Sequence, residues 1–135
     1  MDKEAIVYVE NEPVSTKAIV DLRRSVGWNG METGYNNPLM TSFFHVACYD
    51  GDKLIGHVDS VSNGVTDAYI QDLTVDPAYQ GKGIGTELMN RIIAALKEKR
   101  IYMISVVYEA KLSPFYKRFG FSEMLCGQLQ MFDVE

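Results

Sequence analysis

Apolar and polar positions change period along the chain, and each period assigns an element. Ile6-Val7-Tyr8-Val9 is a short β-type run. Over residues 13–26, Ala18, Ile19, Leu22 and Val26 share one helical face. Ser15 stands where an N-cap belongs and Gly27 follows as a stop, so a helix is predicted there. Residues 27–40 have no period. Three strand-like runs follow at 43–49, 53–61 and 66–75, divided by Asp50-Gly51 and Asn63-Gly64. Both dipeptides are hairpin signals, so the runs predict an antiparallel meander.

The period then changes again. Leu88, Met89, Ile92, Ile93 and Leu96 predict a helix over 85–100. Residues 102–108 are apolar on both parities, as in a central, doubly covered strand. Ser113-Pro114 reads as the start of a helix ending at Phe119, with Gly120 as its C′ residue. Phe121 and residues 128–132 supply short closing strands. Three consecutive strands argue for a mixed α/β sheet rather than a doubly wound one.

Composition narrows the class. A chain of 135 residues, 47% hydrophobic and 23% charged, is expected to form one domain over 1–135 with a core that needs no staples. No apolar run approaches the ~20 residues of a membrane span, and the charged N-terminus lacks a signal-peptide apolar region. A cytoplasmic protein without a membrane partner is expected. Cys48 and Cys126 lack metal-type spacing and are expected to be reduced, packed thiols; no metal site is expected. The net charge of −5 argues against a nucleic-acid partner and is compatible with a cationic substrate. The one dense basic cluster, Lys97 to Arg100, falls at a predicted helix end, where cations complement the dipole.

The candidate chemistry begins at Gln80-Gly81-Lys82-Gly83-Ile84-Gly85. It is not a dinucleotide fingerprint: counted from Gly81 the sixth residue is Thr86, and from Gly83 it is Leu88. Nor is it a Walker loop, because Gly81-Lys82 is followed by Gly83. The underlying physics still holds. Glycines permit positive φ and leave the backbone bare, and N–H groups at a helix N-terminus attract anions. The loop therefore reads as a pyrophosphate cradle, with Lys82 adding charge.

This loop resembles the Q/R-x-x-G-x-G/A motif of the GNAT N-acetyltransferase superfamily. A second stretch, Phe115-Tyr116-Lys117-Arg118-Phe119-Gly120-Phe121, is similar to its F-Y-x-x-x-G-F motif. The order of predicted elements agrees over nearly the whole chain. The resemblance implies a mostly antiparallel central sheet, splayed between its fourth and fifth strands, with helices on both faces. It implies acetyl-CoA as cosubstrate, held by Leu73, Thr74 and Val75 on the third meander strand and by Gln80, Gly81, Lys82, Gly83, Ile84, Gly85 and Thr86. The activity implied is acetyl transfer to the primary amine of a small molecule, or of a peptide or protein, by a monomer or homodimer. Tyr116 is the implied general acid at the departing sulfur.

The base departs from the pattern. Relatives place a glutamate where this chain has Gln71, which takes no proton. Strand alternation would put Asp72 on the opposite face. Glu109 stands where an asparagine is common and is a candidate base or acceptor contact. His57 and Asp59 share a parity; a carboxylate beside a histidine would raise its basicity, and the competing expectation is that both are simply exposed. Trp28 and Tyr35, in the aperiodic segment, are candidate walls of the acceptor pocket. Two other classes stay open: a non-catalytic acyl-CoA-binding or sensing module, suggested by Gln71, and a peptide-binding module using sheet edges.

Overall fold

The alternation in Val46-Ala47-Cys48-Tyr49 is realised as a strand that feeds a core on each side. In the computed structural model, which describes residues 5–133, Val46 and Cys48 join Ile55, Val58, Ile70, Leu88, Met89, Ile92 and Leu96. Ala47 and Tyr49 meet Val14, Ala18, Ile19, Leu22 and Leu54 instead. Among the described residues one sheet forms, in the order β1 (Ile6–Glu10), β2 (Val46–Asp50), β3 (Lys53–Ser62), β4 (Asp67–Val75) and β5 (Met103–Val106). Helix α1 (Thr16–Ser25) covers one face and α3 (Ile84–Glu98) the other. The short α2 (Glu32–Tyr35) lies in the aperiodic segment, and α4 (Ser113–Lys117) follows β5.

Both long helices arise as their patterns require. Ser15 caps α1 by accepting from the Ala18 N–H at 3.1 Å. Ile84, Leu88, Met89, Ile92 and Leu96 form the buried stripe of α3, each full side-chain burial contributing about 1.5–3 kcal/mol. Gly56 lets α3 sit close, since a Cβ there would stand 3.0 Å from Leu88 and 3.1 Å from Ile84.

Strands β1 to β4 pair antiparallel in sequence, whereas β4 and β5 pair parallel. That last pairing runs only from Asp67↔Met103 to Ile70↔Val106. From Gln71 onward β4 stays with β3 and leaves β5. The β3–β4 register also shifts: Asp59 faces Gln71 while His57 faces Thr74, so Val58 opposes both Asp72 and Leu73. This is a bulge on β4, and Asp72 adopts φ +58°, which is uncommon for a non-glycine residue.

Three expectations are corrected. Strand β5 is shorter than 102–108 and is the edge of the sheet, with Tyr102 82% and Met103 48% exposed. No strand forms at Phe121 or over 128–132. An alternating run fits a strand but pairs only where tertiary contacts supply a partner. Here Glu123 is tied to α4 by Ser113 and by Lys117, and the residues beyond it run exposed along the surface. Cys126, on that stretch, is exposed rather than packed, whereas Cys48 is buried.

His57 lies on the α1 face opposite Ala47 and is 5% exposed. Burial, with the charges of His45 and Arg23 adding to it, pushes its pKa down from 6.5 to about 4. The unfolded chain takes a proton there below pH 6.5, and the folded chain only near 4. Folding stability from this residue is therefore present above pH 6.5 and lost as pH falls toward 4, by ~3 kcal/mol in all. Denaturant titrations at pH 7 and pH 4 should show a much smaller acid loss in His57→Gln than in the natural protein. Equal losses would show that His57 is not held neutral.

Candidate active site at the strand split

Where β4 and β5 part, the chain has already delivered its glycine loop. Asp76 accepts from the Ala78 N–H at 2.9 Å and starts a 3-10 turn over Pro77–Tyr79. Gln80 then ties the loop back to β4, its amide donating to the Val75 carbonyl at 2.9 Å. Gly81 (φ +78°) and Gly83 (φ +85°) hold the left-handed conformation, and nothing lies within 4 Å of the Cβ that either would carry. Their need is conformational, and the space above them is open. Gly83 is the N-cap of α3, and the first amide bonded within the helix is that of Glu87, to the Gly83 carbonyl at 3.0 Å. The N–H groups of Ile84, Gly85 and Thr86 precede it, in the helix turn where donors point outward along the dipole.

The second motif folds against this turn. Phe115 lies 3.7 Å from where a Gly85 Cβ would be. Arg118, which sequence reasoning missed, places its guanidinium 3.1 Å from Thr86 Oγ1, over the rings of Phe115 and Phe119. Its place beside Tyr116 in a helical motif was the available signal. Tyr116 itself is 7% exposed. Its ring stacks on Tyr108 at 4.4 Å and meets Phe115 edge-on at 5.0 Å. Burial, then the neighbouring Tyr108 and Tyr69, raises its pKa, so the phenol stays protonated.

On the α1 side the bulge reverses an expectation. Asp72 does not point away from α1: its left-handed backbone breaks the alternation, and its carboxylate pairs with Arg23 of that helix at 3.1 Å. Tyr35 donates to the same carboxylate at 3.5 Å. Arg23 also donates to the Asn29 carbonyl at 2.8 Å and lies over the rings of Trp28 (5.3 Å) and Tyr35 (5.7 Å). One guanidinium thus fastens residues 28–35 to the bulge. Trp28 keeps 41% of its surface exposed.

His57 and Asp59 are buried rather than exposed, at 5% and 8%. The histidine is made less basic, not more, because desolvation outweighs any help from Asp59. Asp59 faces Gln71 across the strand pair. Glu109 lies outside this group: it is exposed and pairs with Lys111 at 3.4 Å. Two open grooves, of about 480 Å³ beside α3 and about 290 Å³ beside the start of α1, hold none of these residues. The strand split, the glycine loop and Tyr116 therefore define the candidate site, not groove size.

The model of the Acetyltransferase (GNAT) family matches residues 16–121. The chain is 38% identical over 69 residues to "GCN5-related N-acetyltransferase 2, chloroplastic" of Arabidopsis thaliana, across 51% of this chain and 27% of that protein. It is 33% identical over 63 residues to "Serotonin N-acetyltransferase 2, chloroplastic" of Oryza sativa subsp. japonica, across 47% of this chain and 32% of that protein. The chain thus spans about a third or less of the length of these plant relatives. A solved GNAT-family acetyltransferase from Streptococcus pneumoniae superposes with a TM-score of 0.75 at 30% identity, over 96% of this chain and 99% of that one. Family motifs, strand split and whole-length superposition agree, and the chain belongs to the GNAT acetyltransferase family, whose members transfer an acyl group from acetyl-CoA.

Proposed function

We propose that the protein transfers acetyl from acetyl-CoA to the primary amine of a small molecule, by direct attack while both are bound. The observation that carries this reading is the meeting of three features at one strand split. These are the half of β4 that leaves β5 after Ile70, the glycine-capped start of α3, and the buried phenol of Tyr116. The open loop and the outward amides fit a pyrophosphate, and the released edge of β4 fits an extended amide arm.

Acetyl-CoA supplies the activated thioester. Gln80, Gly81, Lys82, Gly83, Ile84, Gly85 and Thr86 would hold its phosphates, with Arg118 beside them, and Leu73, Thr74 and Val75 would line its arm. A backbone N–H at the bulge, near Leu73 or Thr74, would steady the oxyanion, since fixed donors outside regular pairing need no reorganisation. Tyr116 Oη would supply the proton to the departing sulfur. A thiol of pKa ~8.5 leaves readily, so this help is modest. Trp28 and Tyr35 would wall the acceptor side. A rice relative named for serotonin supports an amine with an aromatic tail.

Incubation with acetyl-CoA and a pooled amine library, read as free thiol, tests the reaction. Thiol release that depends on an amine is expected. The second reading, a non-catalytic acyl-CoA-binding module, is favoured only by Gln71; tight acetyl-CoA binding without thiol release would support it.

Gly83→Glu should weaken acetyl-CoA at least tenfold by calorimetry, because it adds a negative side chain where phosphates would lie. Its left-handed backbone adds about 1–2 kcal/mol of strain, so a small fall in melting temperature accompanies it. Unchanged affinity would sink the cofactor assignment. Tyr116→Phe should lower kcat by up to about 10²-fold, the low end for a general acid, with acetyl-CoA affinity retained. Full kcat across the pH range would remove the acid role. Trp28→Ala should raise the KM of the amine more than that of acetyl-CoA; if only melting temperature falls, Trp28 is a packing residue.

A further inference from the structure

Asp59 is the one buried carboxylate among the described residues, and it forms no salt bridge there. The guanidinium of Arg23 is committed to Asp72. Such a charge is costly without compensating hydrogen bonds, and a buried carboxylate without a cation is a candidate functional group. Its hydrogen bonds point to the function. Asp59 Oδ1 accepts from the Ser60 N–H at 2.7 Å and from the hydroxyl of Ser42. Ser42 Oγ also lies 3.1 Å from Nδ1 of His45, whose Nε2 lies 2.5 Å from the Glu12 carbonyl.

Counting hydrogens along Glu12, His45, Ser42 and Asp59 gives a definite result. A carbonyl only accepts, so Nε2 carries a hydrogen. Ser42 has one hydroxyl hydrogen. With His45 neutral and Asp59 ionised, both Nδ1 and Oδ1 require that single hydrogen, and one contact goes unbonded. One added proton completes the chain in either of two ways. Asp59 as an acid donates to Ser42, which donates to Nδ1; or an imidazolium Nδ1–H donates to Ser42, which donates to the carboxylate. Moving two hydrogens, one along each bond, converts the first form into the second.

We infer that Asp59, Ser42 and His45 form a proton relay that takes the proton released by the acceptor amine and carries it to the surface. The inference rests on the acetyltransferase reading above. Asp59 faces Gln71 in the last pair before the bulge, so the relay begins beside the strand position where a carboxylate is lacking. It ends at His45, partly exposed and within reach of water. Both hydrogen bonds to Asp59 fall on Oδ1, which leaves Oδ2 as the oxygen that can take a proton.

The step balances. The ammonium N–H breaks and an O–H forms on Asp59, freeing the nitrogen lone pair for attack. A half-turn of the carboxyl presents that hydrogen to Ser42, the two-hydrogen shift makes His45 an imidazolium, and its Nδ1–H leaves the Ser42 contact and passes to solvent, which restores the neutral Nε2–H form and the Asp59 carboxylate. The titratable groups that interact with Asp59 are His45, Asp72 and Tyr35, and Arg23 holds the Asp72 carboxylate. His57, whose ring makes no hydrogen bond and is held neutral, does not compete for the proton. Burial raises the Asp59 pKa above its ordinary range, and the Ser42 hydrogen bond partly offsets that rise.

The chain has only two histidines, so imidazole nitrogen NMR resolves His45 without any ligand or turnover. In Asp59→Asn the Nδ1 resonance of His45 should move, because the Ser42 hydrogen is then no longer shared with a carboxylate. In a Ser42→Ala background the same Asp59→Asn change should move it far less. A resonance indifferent to Asp59, or equally sensitive without Ser42, overturns the relay. With acetyl-CoA and 2-phenylethylamine as the probe, Ser42→Ala should lower kcat at least tenfold and leave the acetyl-CoA KM alone. Ser42→Thr, which keeps the hydroxyl, should restore most of it. Unchanged kcat in Ser42→Ala contradicts the relay. If no amine in the library is turned over, the acetyltransferase reading fails while the NMR arm still decides the relay.

Discussion

A single conflict in strand pairing governs this molecule: β4 cannot follow β3 and β5 along its whole length. It keeps β3 through Val75 and gives up β5 after Ile70. The sheet opens there because β5 ends at Val106, and β4 carries a bulge at Asp72 and Leu73 on its way past Val58. A freed strand edge is a liability in an ordinary sheet, since unpaired N–H and C=O groups invite another chain. In this fold the same groups are what an extended amide ligand can use. The two sides of the opening are then built by separate parts of the chain, the glycine-capped α3 with α4 on one and α1 with residues 28–35 on the other.

The two sides use opposite electrostatics. At the start of α3, bare amides, Lys82 and Arg118 gather positive potential where phosphates are expected. On the α1 side, Asp72 pairs with Arg23, and Asp59 forms no salt bridge among the described residues. Arg23 is the mechanical link there, since it grips the Asp72 carboxylate, the Asn29 carbonyl and two aromatic rings. Under the function proposed above, the first side would anchor the phosphates of the thioester's carrier and the second would receive the acceptor amine.

Much of this was legible in the sequence. The stripe of α3, the Ser15 cap, the hairpin turns and the glycine loop are local, and each has a signal within a few residues of itself. Tyr116 was singled out through its motif, and the structure buries it against Tyr108 and Phe115. What was not legible depends on partners distant in sequence. Nothing local marks Asp72 as a left-handed residue, so strict alternation put its carboxylate on the wrong face. His57 and Asp59 alternate as exposed residues would, and only α1 and the segment carrying Ser42 bury them. The apolar run at 102–108 looked doubly covered, but coverage required closing strands that do not pair. Arg23 carried no signal, because a helix face does not reveal which loop will fold over it.

The central claim is that cofactor binding falls on the freed edge of β4 and the first turn of α3 together. Hydrogen exchange of backbone amides with and without acetyl-CoA tests it most directly. The account predicts new protection confined to residues 71–75 and 81–86, with β1 and β2 unchanged. Protection that appears along the open groove beside α3, at Glu10, Phe44 and Asn90, and leaves both segments exchanging freely, would contradict it.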